Sequence, residues 1–268
     1  MAEGTGFSIH RQPGFTAIAM LCFVLLYLPI ILLVIYSFNA GNSIAIWEGF
    51  SWRWYQSAWE NEQVQEATVR SLIIALWASV ISTSVAVLAA LATTRTRKFK
   101  GQSAVFAMIN QPLMVPEIVT AVALLIFFAM IKVATGYTGL MYLIIAHAAF
   151  CIPFAYLPIR ARLQGMDLSL EQAAADLYAT PFQVFRRITL PQLWPGILAG
   201  AMLAFVISLD DVVITEFVKS AGQDTLPTYM LGQLRRVVTP EVNAISTALL
   251  AISVAMVIAF TVLSKMKN

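Results

Sequence analysis

The chain is 268 residues long, 59% hydrophobic and only 12% charged, with a mean hydropathy of +0.78, whereas soluble domains carry about 25% charged residues. This composition excludes a water-soluble globular enzyme and points to a protein immersed in lipid. The net charge of +3 records a one-sided placement of Lys and Arg rather than a nucleic-acid surface, and two cysteines, Cys22 and Cys151, both inside apolar runs, supply neither a disulfide framework nor a metal site.

An apolar helix needs on the order of 20 residues to cross the hydrocarbon core, and six runs of that length occur: 15–38, 71–92, 103–131, 140–159, 196–218 and 244–263. The runs are continuous rather than alternating, so they predict helices and not a barrel. The expected fold is an all-α integral membrane protein with six transmembrane helices, comprising a segment 1–14, one membrane domain 15–264 and a tail 265–268. The first run is too long, and too weakly followed by a small-residue cleavage site, for a removable signal peptide; it is expected to remain as the first span.

Between the first two spans, Trp47, Trp52, Trp54, Tyr55 and Trp59 crowd one loop. Aromatic rings with a polar tip settle at headgroup depth, which is the simplest account. The alternative is that Trp52, Trp54 and Tyr55, helped by Glu48, Glu60, Glu62 and the loop 222–236, form an external docking surface.

Orientation follows from Lys and Arg, which accumulate in short cytoplasmic loops. Arg11, Arg95, Arg97, Lys98, Lys100, Arg160, Arg162, Arg186, Arg187, Lys265 and Lys267 fall on one side; Arg53, Arg70, Lys132, Lys219, Arg235 and Arg236 fall on the other, diluted by acids. Both termini are expected in the cytoplasm.

Glu117, Asp210 and Asp211 are acids that lie inside spans. A carboxylate in hydrocarbon costs several kcal/mol unless it is paired, neutralised or wetted, and no Lys or Arg lies in the central part of any span. Either these acids are protonated and hydrogen-bonded, with Ser208, Thr120 or His147 as partners, or they line a wet route and offer negative charge to a cation. Neighbouring residues on a helix point about 100° apart, so Asp210 and Asp211 cannot both readily face one lumen. Pro112 and Pro116 are expected to break the ladder of the third span beside Glu117. His147 reads as a hydrogen-bonded packing residue rather than a metal ligand.

The segment 166–195 is too polar to cross the bilayer and carries two helix-start signals. Ser169 with Gln172 reads as a capping box, and Glu171 occupies the acidic first turn, so a short helix is expected from about Leu170. Thr180, Pro181 and Gln183 make a second box with Pro at the first helical position, predicting another helix from Pro181 that Pro191 and Pro195 should end. A corner at Tyr178-Ala179-Thr180 joins them into a projecting knob. No G-x-x-x-x-G-K-[ST] string occurs, so the chain lacks the cradle for ATP phosphates.

The strings Gln172-Ala173-Ala174, Asp176-Leu177-Tyr178-Ala179-Thr180 and Ile188-Thr189-Leu190-Pro191 resemble the EAA loop of ABC-importer permeases, whose pattern is Glu-Ala-Ala, a Gly four residues after the second Ala, and later Ile-x-Leu-Pro. VIYSFNAG, WEGFSWRWY, PLMVPEIVTA, AHAAFCIPF, SLDDVVITEFV and TPEVNAISTALL, in that order over nearly the whole chain, are similar to the PotC-type permeases of spermidine/putrescine importers. The resemblance implies a transport subunit in a bacterial inner membrane, not itself an enzyme, that forms half of a polyamine pathway through Glu117, His147, Ser208, Asp210 and Asp211. It implies partners: a second permease in a heterodimer, a periplasmic substrate-binding protein, and a dimer of ATP-binding cassette ATPases that holds ATP and Mg. It places the ATPase contact on Gln172, Ala173, Ala174, Asp176, Leu177, Tyr178, Ala179, Thr180, Pro181 and Phe182. Gln172 stands where the pattern has Glu, and Tyr178 where it has Gly; if that Gly has φ > 0, Tyr178 must bear the strain or turn a different corner.

Other classes fit less well. Another small solute would use the same architecture. An ion-coupled secondary transporter usually shows an internal repeat, which this sequence does not display, and an aspartyl protease needs its two Asp residues on facing helices, whereas Asp210 and Asp211 are adjacent.

Overall fold

A computed structural model of the chain describes residues 13–44, 46–96, 100–235 and 239–265. Arg11, Arg97, Lys98, Arg236 and Lys267, most of the expected segment 1–14 and all but the first residue of the tail 265–268 lie outside the described residues. The helices run α1 (Pro13–Tyr36), α2 (Arg53–Glu60), α3 (Glu62–Thr94), α4 (Gln102–Met114), α5 (Glu117–Thr135), α6 (Met141–Gln164), α7 (Ser169–Asp176), α8 (Pro181–Val184), a π-helical turn (Phe185–Thr189), α9 (Leu190–Asp210), α10 (Val213–Val218), α11 (Leu226–Leu234) and α12 (Pro240–Lys265). Six stretches are long and apolar enough to cross a membrane: Gly14–Tyr36, Glu62–Thr94, Glu117–Thr135, Met141–Gln164, Pro181–Asp210 and Pro240–Ile258. The all-α membrane class holds.

Two predicted spans are broken. The run 103–131 becomes α4 and α5, and the break falls on Val115 and Pro116, both extended (φ −102°, ψ 137° and φ −53°, ψ 132°). A residue before proline is pushed out of the helical region, and β-branched Val115 takes the extended one easily. Pro112, expected to share in the break, lies inside α4, as membrane helices permit where surrounding groups absorb the freed carbonyl. The run 196–218 breaks at Asp211 (φ −65°, ψ 130°), with neither Pro nor Gly to announce it.

The second loop helix does not end at Pro191 and Pro195 as expected. It is the first turn of a continuous helix, Pro181–Asp210, in which the wide turn Phe185–Thr189 precedes Pro191. The amide of Leu190 reaches back to the Phe185 carbonyl. That change of register already leaves a carbonyl without a donor, so the missing N–H of Pro191 costs little more there.

The chain divides into two compact units. In the unit Met1–Asn61 with Gln233–Ile252, no described residue of α1 is buried, as suits an apolar rod in lipid. The loop after it folds around Asn39, which is fully buried. Its amide donates to the carbonyls of Ser43 and Ile46 at 2.9 and 2.7 Å, and its carbonyl accepts from Gly41 and Glu48. Phe38 packs on Phe50, Trp52 and Tyr55.

In the unit Glu62–Gly232 with Ser253–Asn268, α3, α6 and α9 pack on one another through small residues: Ala75, Ala78, Ser79, Ser82 and Ala86 on α3, Cys151 and Ala155 on α6, and Gly196, Gly200 and Ala204 on α9. Lipid offers no hydrophobic drive between helices, so close backbone approach and interhelical hydrogen bonds hold them. Ser79 Oγ donates to the Ala201 carbonyl at 2.7 Å, and Cys151 Sγ to that of Ala204 at 3.4 Å.

Candidate functional site

The two helix breaks meet. α5 packs on α10, which brings Glu117, the first residue of α5, against Asp211. Around them lies a cleft of about 380 Å³ lined by Glu117, Asp210 and Asp211, by Phe150 and Phe154 of α6, and by aliphatic residues of α9 and α10. No Lys or Arg lines it. Two carboxyl groups this close repel unless a proton or a cation lies between them.

The three acids do different things. Asp210 ends α9 and is exposed. The Asp211 carboxylate is buried and accepts hydrogen bonds from the amides of Ile214 and Thr215 at 3.3 and 2.9 Å and from the Thr215 hydroxyl at 2.9 Å. It caps α10, satisfying donors that the break would orphan. Glu117 is half-buried.

His147 and Ser208, expected along the same route, stand behind the cleft and do not line it. His147 Nδ1 lies 2.8 Å from Ser208 Oγ, and Nε2 lies 2.9 Å from Thr215 Oγ1 and 3.4 Å from Asp211 Oδ2. The single proton of the Thr215 hydroxyl goes to Asp211, so Nε2 must donate to Thr215, while Nδ1 and the Ser208 hydroxyl share the other bond. The chain Ser208 to His147 to Thr215 to Asp211 fixes α6 to both sides of the break, a positioning role. Thr120, the other expected partner, has no hydrogen bond to its hydroxyl and lines a separate apolar cavity of about 550 Å³.

The loop forms a second locus. α7 begins at Ser169, but the box with Gln172 is absent: Ser169 gives both its amide and its hydroxyl to Asp167, at 2.9 and 2.7 Å. These bonds hold the Asp167 carboxyl below the usual range. The second box is present, with the Gln183 amide on Thr180 Oγ1 at 3.4 Å and the Thr180 amide on Gln183 Oε1 at 2.9 Å. Between them α7 ends in a Schellman turn: the Ala179 amide donates to the Ala174 carbonyl and that of Tyr178 to Ala175. Tyr178 occupies the left-handed position of this turn, with φ 59°, alone among the described non-glycine residues. It keeps the corner that a glycine would make and bears the strain.

Tyr178, Leu177 and Phe182 are 96%, 82% and 68% exposed. Gln172, Ala173, Asp176, Thr180 and Pro181 are exposed as well, while Ala174 and Ala179 are half-buried. Unpaired apolar patches of this kind mark interaction sites. Sequence reasoning missed Glu171 as an anchor: its carboxylate meets Arg95 Nε at 3.3 Å and accepts from Thr189 Oγ1 at 3.0 Å. No local pattern pairs residues so far apart in the chain.

Of the three aromatics expected at an external surface, Trp52 is exposed, Tyr55 is half-buried with its hydroxyl on Ser37 at 2.7 Å, and Trp54 is buried. Trp54 gives its indole N–H to the Gly41 carbonyl at 3.1 Å and holds the loop together rather than facing outward.

Residues 82–266 match the family described as binding-protein-dependent transport system inner membrane component. The putrescine transport system permease protein PotI of Escherichia coli (strain K12) is 38% identical over 245 residues, covering 90% of this chain and 87% of that protein. The spermidine/putrescine transport system permease protein PotC of Haemophilus influenzae is 37% identical over 252 residues, covering 94% and 96%. Among solved structures, a bacterial ABC transporter involved in the import of the acidic polysaccharide alginate shares the fold with a TM-score of 0.75 at 17% identity, over 94% of each chain. The MetNI methionine ABC transporter in an inward-facing conformation matches with a TM-score of 0.63 at 18% identity, over 78% of this chain and 99% of that one.

Proposed function

This chain belongs to the family of binding-protein-dependent transport system inner membrane components, and from that premise we propose that it forms half of the pathway of a polyamine importer driven by a separate ATPase. The observation that carries the reading is the cleft in which Glu117, Asp210 and Asp211 converge with two phenylalanines and no basic residue. A flexible polycation is held by spaced negative charge and aromatic faces. The relatives named for putrescine and spermidine transport have the same cargo class.

The exposed corner at Leu177, Tyr178 and Phe182 is the grip of the ATPase dimer, whose subunits supply ATP and Mg, and which therefore lies on the cytoplasmic side with both termini of this chain. Closure of the ATPases on ATP displaces the corner, and the helix pairs at the two breaks switch the cleft between outward and inward access, a two-state change biased by a distant ligand. A second permease completes the conduit and a periplasmic binding protein delivers the cargo. Reconstitution of the four components in proteoliposomes should give ATP-dependent uptake of labelled putrescine or spermidine; ATP hydrolysis stimulated only by an uncharged or anionic solute would reject the cargo assignment.

A further inference from the structure

None of the residues of α7 is buried. Polar contacts therefore carry much of its attachment to the membrane helices, and one carboxylate bridges two of them. Glu171 meets Arg95 Nε, one residue past α3, at 3.3 Å, and accepts from Thr189 Oγ1, in the wide turn, at 3.0 Å. The ion pair is shielded, with side-chain exposures of 18% and 19%, and Thr189 is buried. The three elements stand around a cavity of about 620 Å³ that Leu91, Thr94, Leu168, Ala175 and Phe185 help to line, so close packing does not fix their spacing.

We propose that Glu171 is the positioning residue that locks α7 to the end of α3 and to Thr189, so that a push on the 177–182 corner, which already begins the Pro181–Asp210 helix, also moves α3 instead of bending α7. The proposal rests on the reading of that corner as the ATPase contact. An exposed ion pair contributes little, but this carboxylate is screened from water and held by two donors from two different elements. Losing it frees α7 and leaves the Arg95 charge without its partner.

The test uses the assembled transporter in proteoliposomes with putrescine as cargo, and compares Glu171→Gln, Thr189→Val, and the exchange Glu171→Arg with Arg95→Glu. The ratio of putrescine taken up to ATP hydrolysed should fall about fivefold in Glu171→Gln, the lower range of allosteric couplings, and less in Thr189→Val, which keeps the ion pair; ATPase co-purification should be unchanged. The exchange should restore a substantial part of the ratio. A second readout needs no cargo: bifunctional thiol cross-linking of cysteines placed at 94 and 168, both lining the cavity, in a background lacking Cys22 and Cys151. Its yield should fall in Glu171→Gln and recover in the exchange. An unchanged ratio and yield in both single variants, or an exchange that assembles without restoring either, overturns the proposal. Cross-linking that depends on Glu171 in a transporter that moves no putrescine sinks the cargo reading and leaves this inference standing.

Discussion

Gly200 of α9 lies so close to Ala155 of α6 that a methyl group on it would stand 2.7 Å from the Ala155 carbonyl oxygen. The clash is with backbone, which cannot swing aside as a side chain can. Gly200→Ala should therefore push α6 and α9 apart and destabilise the packed unit by about 1–3 kcal/mol, read as a lower melting temperature in detergent. Gly232, where an added methyl meets nothing within 4 Å, is the control, and equal effects at both positions would remove the close-packing argument.

Asp210 and Asp211 should separate cleanly. Asp211→Ala strips three hydrogen bonds from the start of α10 and leaves buried donors unpaired, a loss of about 1–3 kcal/mol that should appear as poor yield of folded protein. Exposed Asp210 has no such duty, so Asp210→Asn, like Glu117→Gln, should keep assembly and lower putrescine uptake by about tenfold, equivalent to ~1.4 kcal/mol. Unfolding of Asp210→Asn would show that the residue is structural after all.

What the sequence disclosed divides along the range of the forces involved. The six spans follow from apolar run length alone, the break at Val115 from the steric rule before proline, and the Thr180 cap from a three-residue spacing; all are local. Asp211 escaped because its break has no proline or glycine: it forms by trading helical carbonyls for a carboxylate cap, visible only once Thr215 and His147 are near. The Ser169 box failed since Asp167, two residues earlier, takes the Ser169 amide, and the Gln172 amide goes to the Leu168 carbonyl instead of the Ser169 hydroxyl. Glu171 and the withdrawal of His147 and Ser208 from the cleft depend on partners far along the chain, and Trp54 turns inward to a backbone carbonyl that no side-chain pattern marks.

Tyr178 holds a left-handed conformation that costs a non-glycine residue about 1–2 kcal/mol. Tyr178→Gly should therefore leave the fold as stable as before or slightly more so, the entropy lost by the freer unfolded chain offsetting part of the gain. Tyr178→Val, β-branched and ill suited to positive φ, should loosen the corner. Limited trypsin cleavage near Arg186 and Arg187, both exposed, reports this: slower or equal for Gly, faster for Val. Identical cleavage in both would mean that the turn does not hold this conformation.

Lys219 lies 2.5 Å from Glu216 and 2.7 Å from Asp224. Burial works against its charge, but the two acids together outweigh that and hold its pKa above the ordinary lysine value. A raised pKa in the folded state means that the stabilisation is complete below the unfolded value and is lost only as pH rises through the folded one. The melting difference between the natural protein and Lys219→Met should thus be flat from about pH 6 to about pH 9. A difference that vanishes across that range would show that the ammonium group is not the source.

The exposed corner allows the proposed ATPase contact to be tested without disturbing the fold. Leu177, 82% exposed, touches no core, so Leu177→Asp should cost the permease well under 1 kcal/mol, as for other exposed surface sites. Placed in an apolar interface, the new carboxylate meets a desolvation penalty of several kcal/mol, enough to weaken the ATPase complex at least tenfold. Phe182→Asp, at the start of α8, should act in the same direction. Pull-down of the ATPase measures the first effect and the melting temperature of the isolated permease the second. Full ATPase binding by both variants would place the contact elsewhere on the molecule, because a partner gripping this corner cannot accommodate a buried charge at either position.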